Sequence, residues 1–374
     1  MQTSGLVPDT FISGSELSEL AVAAGPQASV YLTTEADVHD AADRLQRRWK
    51  TLRSSLTEQG ADDAVLETID SVVPDAYLQG QGLAVFAGSS GLHHVEHHSD
   101  LPADDVGVWG PLPSLLPLIE WRQSSLPHVV VLTDRRGADL VAVRREGPDL
   151  EREAGGEDFP LRKSGPGGWS QRRFQQRAEN TWGQNAGDVA VELAGLVDRV
   201  GARLVVVSGD VRAIQLLGEA LPPALEDLVQ VIDGGRSEDG SEESVAAEVD
   251  RLVAVATAKE TTEAVEKFTE ELGQHDRAVE GVGPTVTALG QAQVAGLLID
   301  SGALADRQGW FGPEAAHVAT DPGELDAMGF EAPEQALLAD VLVRSALASG
   351  AGVRVVPSEM APKHGVGALL RWAS

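Results

Sequence analysis

Apolar positions along this chain recur with two periods. The run Ser29 to Thr33 predicts a strand, and the segment from about Asp37 to Gln59, with Leu45, Trp49, Leu52 and Leu56 at helical spacing, predicts a helix. Gly80 to Ala87 and Gly91 to His97 predict paired strands around a Gly-Ser turn. From Val106 to Pro127 the chain is proline-rich without a clear period, which suggests a domain boundary. His128 to Thr133 then reads as a buried strand, Asp134 to Gly137 as a turn, and Ala138 to Arg144 as its hairpin partner. A helix follows from about Ser170 to Val200. Arg203 to Ser208, Val211 to Ala220 and Val229 to Asp233 read as strand, helix and strand.

The polar, glycine-rich stretch Gly234 to Gly240 is a second natural boundary. Beyond it a long acidic helix is expected from Ser241 to Leu272, a short helix from Gly283 to Ala292 and a strand from Val294 to Asp300. Pro333 to Ser349 has the pattern of an amphipathic helix. Gly352 to Pro357 reads as a strand, and a final glycine-rich turn and Val366 to Trp372 close the third unit. Strands alternating with helices imply an α/β class, with mixed layers in each of three domains: 1–126, 127–236 and 237–374. No repeat of fixed period is visible.

With 374 residues the chain is long enough for such cores. No apolar run reaches the length that crosses a bilayer, and no secretory signal opens the chain. The absence of cysteine removes disulfides and thiolate metal sites, so a cytoplasmic monomer without membrane contact is expected. The 58 acidic residues against 29 basic ones, a formal charge of −29, exclude nonspecific coating of nucleic acid. Contact with a polyanion would have to be local.

Two stretches meet that condition. Leu161 to Ala178 holds Arg162, Lys163, Arg172, Arg173 and Arg177 and no carboxylate, around the glycines Gly165, Gly167 and Gly168. Glycine allows close backbone approach, and phosphate is the commonest partner of such a cationic tip. The bland alternative is a surface loop with incidental charge. In the second stretch, Arg44, Arg47 and Arg48 share a helix face at i, i+3 and i+4, beside Lys50 and Arg53, and no acid occurs from Arg44 to Leu56. That face either contacts RNA or is solvated and paired to acids elsewhere.

The run His93-His94-Val95-Glu96-His97-His98 offers zinc-type ligands, since His94, Glu96 and His98 share a face if this is a strand. Side chains along one strand face diverge and nothing reinforces the set, so a solvated edge strand is expected and no metal or other cofactor is assigned. No Walker loop, nucleophile elbow or Ser/His/Asp pattern is present, so nucleotide hydrolysis is not expected.

The segment Gly167-Gly168-Trp169-Ser170-Gln171-Arg172-Arg173-Phe174-Gln175-Gln176-Arg177 resembles the Gly-Gly-Gln loop and following basic helix of archaeal and eukaryotic class I release factors. Gly365 to Trp372 is similar to their glycine-rich, Leu-Arg-aromatic ending, and Gly283 to Leu289 with Val294 to Asp300 is similar to the opening of their third domain. The first third matches only in element order and carries no counterpart of the stop-codon motif. Within the superfamily, which includes Pelota, the chain resembles the bacterial branch that contains the hibernation factor Balon.

The resemblance implies a three-domain, release-factor-like architecture and a ribosome-binding role in the aminoacyl-tRNA site, in hibernation or stalled-ribosome handling. It implies rRNA contacts by Arg162, Lys163, Gly167, Gly168, Trp169, Gln171, Arg172, Arg173 and Arg177, with Arg44, Arg47 and Arg48 as a second contact. Peptidyl-site tRNA and a translational GTPase such as elongation factor Tu are the other implied partners. Trp169 stands where release factors carry the glutamine that orients water. An indole has one N–H donor and no acceptor, which suits stacking better than standard peptide release. A noncatalytic protein is therefore expected. The alternative is a peptidyl-tRNA hydrolase or tRNA nuclease using Gln171 or Gln175.

Overall fold

The computed structural model describes residues 10–34, 39–98, 104–134, 137–144, 150–155, 168–234, 241–274, 277–330 and 332–372, of which 155, 168–182 and 241–243 are described by backbone alone. Its contacts divide the chain into two compact units, one of residues 1–124 with 258–374 and one of residues 125–257.

The first unit opens with helix α1 (Ser15–Ala21), strand β1 (Gln27–Thr33) and helices α2 (Ala41–Glu58) and α3 (Asp63–Asp70). The strands β2 (Gly82–Gly88), β3 (Gly91–His98) and β4 (Val106–Gly110) and helix α4 (Leu116–Ser124) follow. The four strands form an antiparallel sheet in the order β3-β2-β1-β4. All seven residues of β1 are buried because both faces of the sheet are covered. Ala28, Val30 and Leu32 meet Leu45, Trp49, Leu52 and Leu56 of α2, as the helical spacing predicts, while Tyr31 lies with Leu118 and Trp121 of α4 on the other side.

The proline-rich segment, which shows no clear period and reads as a domain boundary, holds β4 and α4. Its prolines stand where they cost no ladder or helix hydrogen bond: Pro111 and Pro113 fall between the two elements, and Pro117 falls in the first helical turn.

In the second unit are β5 (His128–Thr133), β6 (Gly137–Val143), β7 (Leu150–Gly155), α5 (Gly168–Val200), β8 (Leu204–Gly209), α6 (Val211–Ala220), α7 (Pro223–Glu226), β9 (Val229–Val231) and the start of α8 (Ser241–Gln274). The sheet runs β7-β6-β5-β8-β9, antiparallel from β7 to β5 and parallel from β5 to β9. One face packs Val129, Val131, Val205 and Val207 against Val189, Leu193, Leu196 and Val197 of α5; the other packs Val206 against Val245 and Val249 of α8. Gly209 has φ 145°, and a Cβ there would lie 1.8 Å from the Thr133 carbonyl oxygen, so the β8–α6 turn needs glycine. Asp210 caps α6, accepting from the backbone N–H groups of Arg212 and Ala213. Of the two expected turns, 135–136 and 235–240 lie outside the described residues.

The rest of the first unit comprises β10 (Ala278–Glu280), α9 (Val282–Gly290), β11 (Val294–Ile299), β12 (Gln308–Phe311), β13 (Val318–Ala319), α10 (Pro322–Ala327), β14 (Glu334–Leu337), α11 (Leu338–Ala348), β15 (Gly352–Val355) and β16 (Val366–Leu370). A mixed sheet runs β10-β16-β11-β15 and a small one β13-β12-β14. The single amphipathic helix expected over Pro333 to Ser349 is a strand followed by a helix, because Glu334 to Leu337 pair with β12. Residues 338–347 of α11 are all buried, so it has no solvated face.

The segments 1–124 and 258–374 share one apolar cluster: Leu17 and Leu20 of α1 and Phe86 of β2 lie in it with Leu342 of α11 and Val353 of β15. Ile12 exchanges two backbone hydrogen bonds of 2.8 Å with Val353, covering the edge of β15. Among the described residues no helix is long and apolar enough to cross a membrane.

Candidate nucleic-acid interface

Helix α5 begins at Gly168, within the acid-free basic stretch. Its second half is anchored: Ala186, Val189, Ala190, Leu193, Leu196 and Val197 recur at helical spacing and are buried. The backbone at Trp169, Gln171, Arg172, Arg173, Gln175 and Arg177 is helical, N-terminal to that anchored half. Their side chains, and Arg162, Lys163 and Gly167 altogether, lie outside the described residues.

Helix α2 places Arg44, Arg47, Arg48 and Arg53 as its period requires, and aspartates from outside the acid-free stretch meet them. Asp40 lies 2.9 Å from Arg44 and 3.8 Å from Arg47, Asp105 lies 3.0 Å from Arg48, and Asp70 lies 3.2 Å from Arg53. Asp105 also accepts from the Thr33 N–H of β1 at 2.7 Å, and Asp70 accepts from the Trp49 indole at 2.7 Å. Arg48 and Arg53 thus help tie the helix to its surroundings. Arg47, with a 71% exposed side chain and the longest of these contacts, is the most available to a partner. Exposed pairs of this kind contribute roughly 0–1 kcal/mol each, so they do not commit the arginines to the protein's own acids.

The histidine run is the edge strand β3, but its inner face is not solvated. Glu96 and His98 are buried, and Arg122 of α4 lies against Glu96 with Nε at 3.2 and 3.1 Å from the two carboxylate oxygens. His94 Nε2 comes to 2.9 Å and His98 Nε2 to 2.7 Å of the same carboxylate, and His98 stacks on Trp121 at 4.1 Å. Glu16 of α1 reaches His94 Nδ1 at 2.6 Å. Burial alone would raise the Glu96 pKa. The hydrogen bonds from His94 and Arg122, the close approach of the His98 ring nitrogen and the Arg122 charge outweigh burial and hold the carboxyl well below the usual range. The guanidinium occupies the position beside the carboxylate that a metal would need, and among the described residues no group of His, Asp and Glu could hold a metal ion.

A second buried carboxyl is Asp340 of α11, whose pKa burial pushes up to about 7 against a lowering hydrogen bond from Ser114. The sign follows from linkage. Between the ordinary value of 3.8 and about 7 the folded state holds a proton that the unfolded chain has released, so this group's contribution falls as pH rises through that window. Asp340→Asn is expected to stabilise the protein at pH 8 by about 2 kcal/mol, after allowing for burial of the amide, and to change little at pH 4. Urea unfolding at the two pH values measures it; an equal effect at both would place the cause in packing.

Residues 127–274 match the model for bacterial archaeo-eukaryotic release factor family 2. An uncharacterized protein of Mycobacterium tuberculosis H37Rv is 27% identical over 363 residues, 95% of this chain and 96% of its own. The crystal structure of the archaeal translation termination factor aRF1 is similar at 17% identity, covering 96% of this chain and 95% of that one, with a TM-score of 0.26. A model of ribosome-bound archaeal Pelota and ABCE1 is similar at 15% identity, covering 97% and 96%, with a TM-score of 0.41. The matched segment contains the basic stretch and the whole of α5. Residues 127–274 are thus similar to bacterial archaeo-eukaryotic release factor family 2, and they carry the basic stretch at the start of α5.

Proposed function

We propose that this protein is a ribosome-binding factor that occupies the aminoacyl-tRNA site without standard peptide-release chemistry, in hibernation or in the handling of stalled ribosomes. The observation that carries this reading is the family match over 127–274, which encloses an acid-free stretch of five basic residues at the start of α5 in a chain of net charge −29. In this reading Arg162, Lys163, Arg172, Arg173 and Arg177 contact rRNA phosphates, Gly167 and Gly168 permit close approach, Gln171 makes a polar contact, and Trp169 stacks on a base or ribose. The division 1–126, 127–236 and 237–374 then assigns the decoding side, the peptidyl-transferase side and the GTPase side, with elongation factor Tu as the candidate GTPase and peptidyl-site tRNA as a neighbour.

Sedimentation with ribosomes over a salt series tests the reading. Arg172→Ala with Arg173→Ala is expected to weaken binding and to flatten the salt dependence by roughly 1 in log–log slope per side chain. An unchanged slope would remove the stretch from the interface. Release of peptide or cleavage of tRNA by the unmodified protein on peptidyl-tRNA-loaded ribosomes would overturn the noncatalytic part, in favour of Gln171 or Gln175 chemistry.

The second contact has its own test. Arg47→Glu is expected to weaken sedimentation with no change in melting temperature. Arg48→Glu is expected to destabilise as well, because it faces the new carboxylate toward Asp105. If Arg47→Glu sediments normally, the α2 face is not part of the interface.

A further inference from the structure

Within the first unit, the start of α9, the residue before β12 and the turn before β16 line a groove of about 450 Å³. Three basic side chains from two distant parts of the sequence converge there, Arg307, Lys363 and His364, and all three residues are exposed. Their main chains are pinned. The Arg307 carbonyl accepts from the Leu338 N–H at 2.7 Å, and the Lys363 N–H donates to Glu280 Oε1 at 2.9 Å. Glu280 is the one acid among the described residues that line the groove, and it also holds the Lys363 ammonium at 3.2 Å, which orients that side chain. Gly283 leaves the floor open, with no atom within 4 Å of where a side chain would begin.

We propose that this groove binds the phosphate backbone of RNA. Its lining offers basic side chains and the exposed Gly283 backbone, and among the described residues no Phe, Tyr or Trp that would stack a base, so it suits a contact that positions a strand without reading sequence. On a chain of net charge −29, Arg307 and Lys363 with the His364 imidazole beside them, against one acid among the described lining residues, form a local site for a polyanion that the surrounding surface repels. The choice of RNA over another polyanion rests on the ribosome reading above. The site lies outside both basic stretches named there and gives the last third of the chain an RNA contact of its own.

The test uses the full chain carrying Arg172→Ala and Arg173→Ala, which isolates the groove from the central stretch, and a fluorescein-labelled RNA hairpin as probe. Adding Arg307→Ala and Lys363→Ala is expected to weaken hairpin binding and to lower the log–log salt slope by roughly 1 for each side chain. In the unmodified chain, the Gly281 and Gly283 amide resonances are expected to shift on hairpin addition and to stay in place with polyglutamate. An unchanged slope, silent glycine amides, or an equal response to polyglutamate would each overturn the proposal. Should the added substitutions disturb folding, the amide titration of the unmodified chain decides alone. Failure of the ribosome reading is separately visible, as absent sedimentation with the groove still responding to the hairpin.

Discussion

Glu96→Ala should cost about 3–5 kcal/mol in urea unfolding, because it strips the buried Arg122 guanidinium of its buried carboxylate partner and leaves it the partly exposed Glu16 at 3.4 Å. The loss should be largest near neutral pH and shrink in acid. Glu96 has a depressed pKa in the folded state, so its contribution is fully present above the ordinary value of 4.5 and declines as pH falls below it. Glu96→Leu combined with Arg122→Met should recover much of the stability, since removing both charges also removes their desolvation cost. If the double variant is as unstable as the alanine variant, the loss comes from packing around Trp121 and His98 and not from an unpaired charge. Because Glu16 also approaches Arg122 at 3.4 Å and His94 at 2.6 Å, hydrogen exchange in α1 should accelerate with Glu96→Ala.

Arg354→Ala should be of similar size, about 3–5 kcal/mol. The Arg354 side chain is fully buried in β15 and ties that strand to two other parts of the first unit: the Thr10 carbonyl at 2.6 Å, and α8 through Thr261 Oγ1 at 2.7 Å and Glu260 Oε2 at 3.3 Å. Truncation leaves a buried carboxylate and a carbonyl without that donor and opens a cavity the size of the guanidinium. Arg354→Lys keeps the charge but cannot span the fork of partners, so it should recover only part of the loss. The local signature is at the N-terminal arm. The Ile12 N–H, bonded to Val353, should lose exchange protection in Arg354→Ala more than the N–H groups of β5 in the other unit. Equal loss in both places would mean that Arg354 supports global stability and not the arm.

Much of the element order is legible in the sequence, and the reason is local. The run Leu204 to Ser208 and the segment Val211 to Ala220 carry their own periods, and Asp210 supplies the cap from the adjacent position. The core face of α2 is equally plain in Leu45, Trp49, Leu52 and Leu56. The basic stretch at the start of α5 is legible because the absence of a carboxylate over 161–178 is a property of the chain itself.

What only the tertiary structure decides is which groups meet. Val106 to Gly110 is too short and too lightly buried to show a period, and becomes a strand because β1 offers it an edge. Residues 334–337 continue the helical pattern of 338–348, yet β12 takes them as a strand through backbone pairing, which the side-chain pattern does not encode. The acid-free helix face at Arg44 to Arg53 finds its counter-charges at Asp40, Asp70 and Asp105, and the histidine strand finds Arg122 twenty-six residues after Glu96. Charges and open backbone edges pair through space with whatever the fold brings near, so their partners follow from packing, whereas periodicity and caps act between neighbours along the chain.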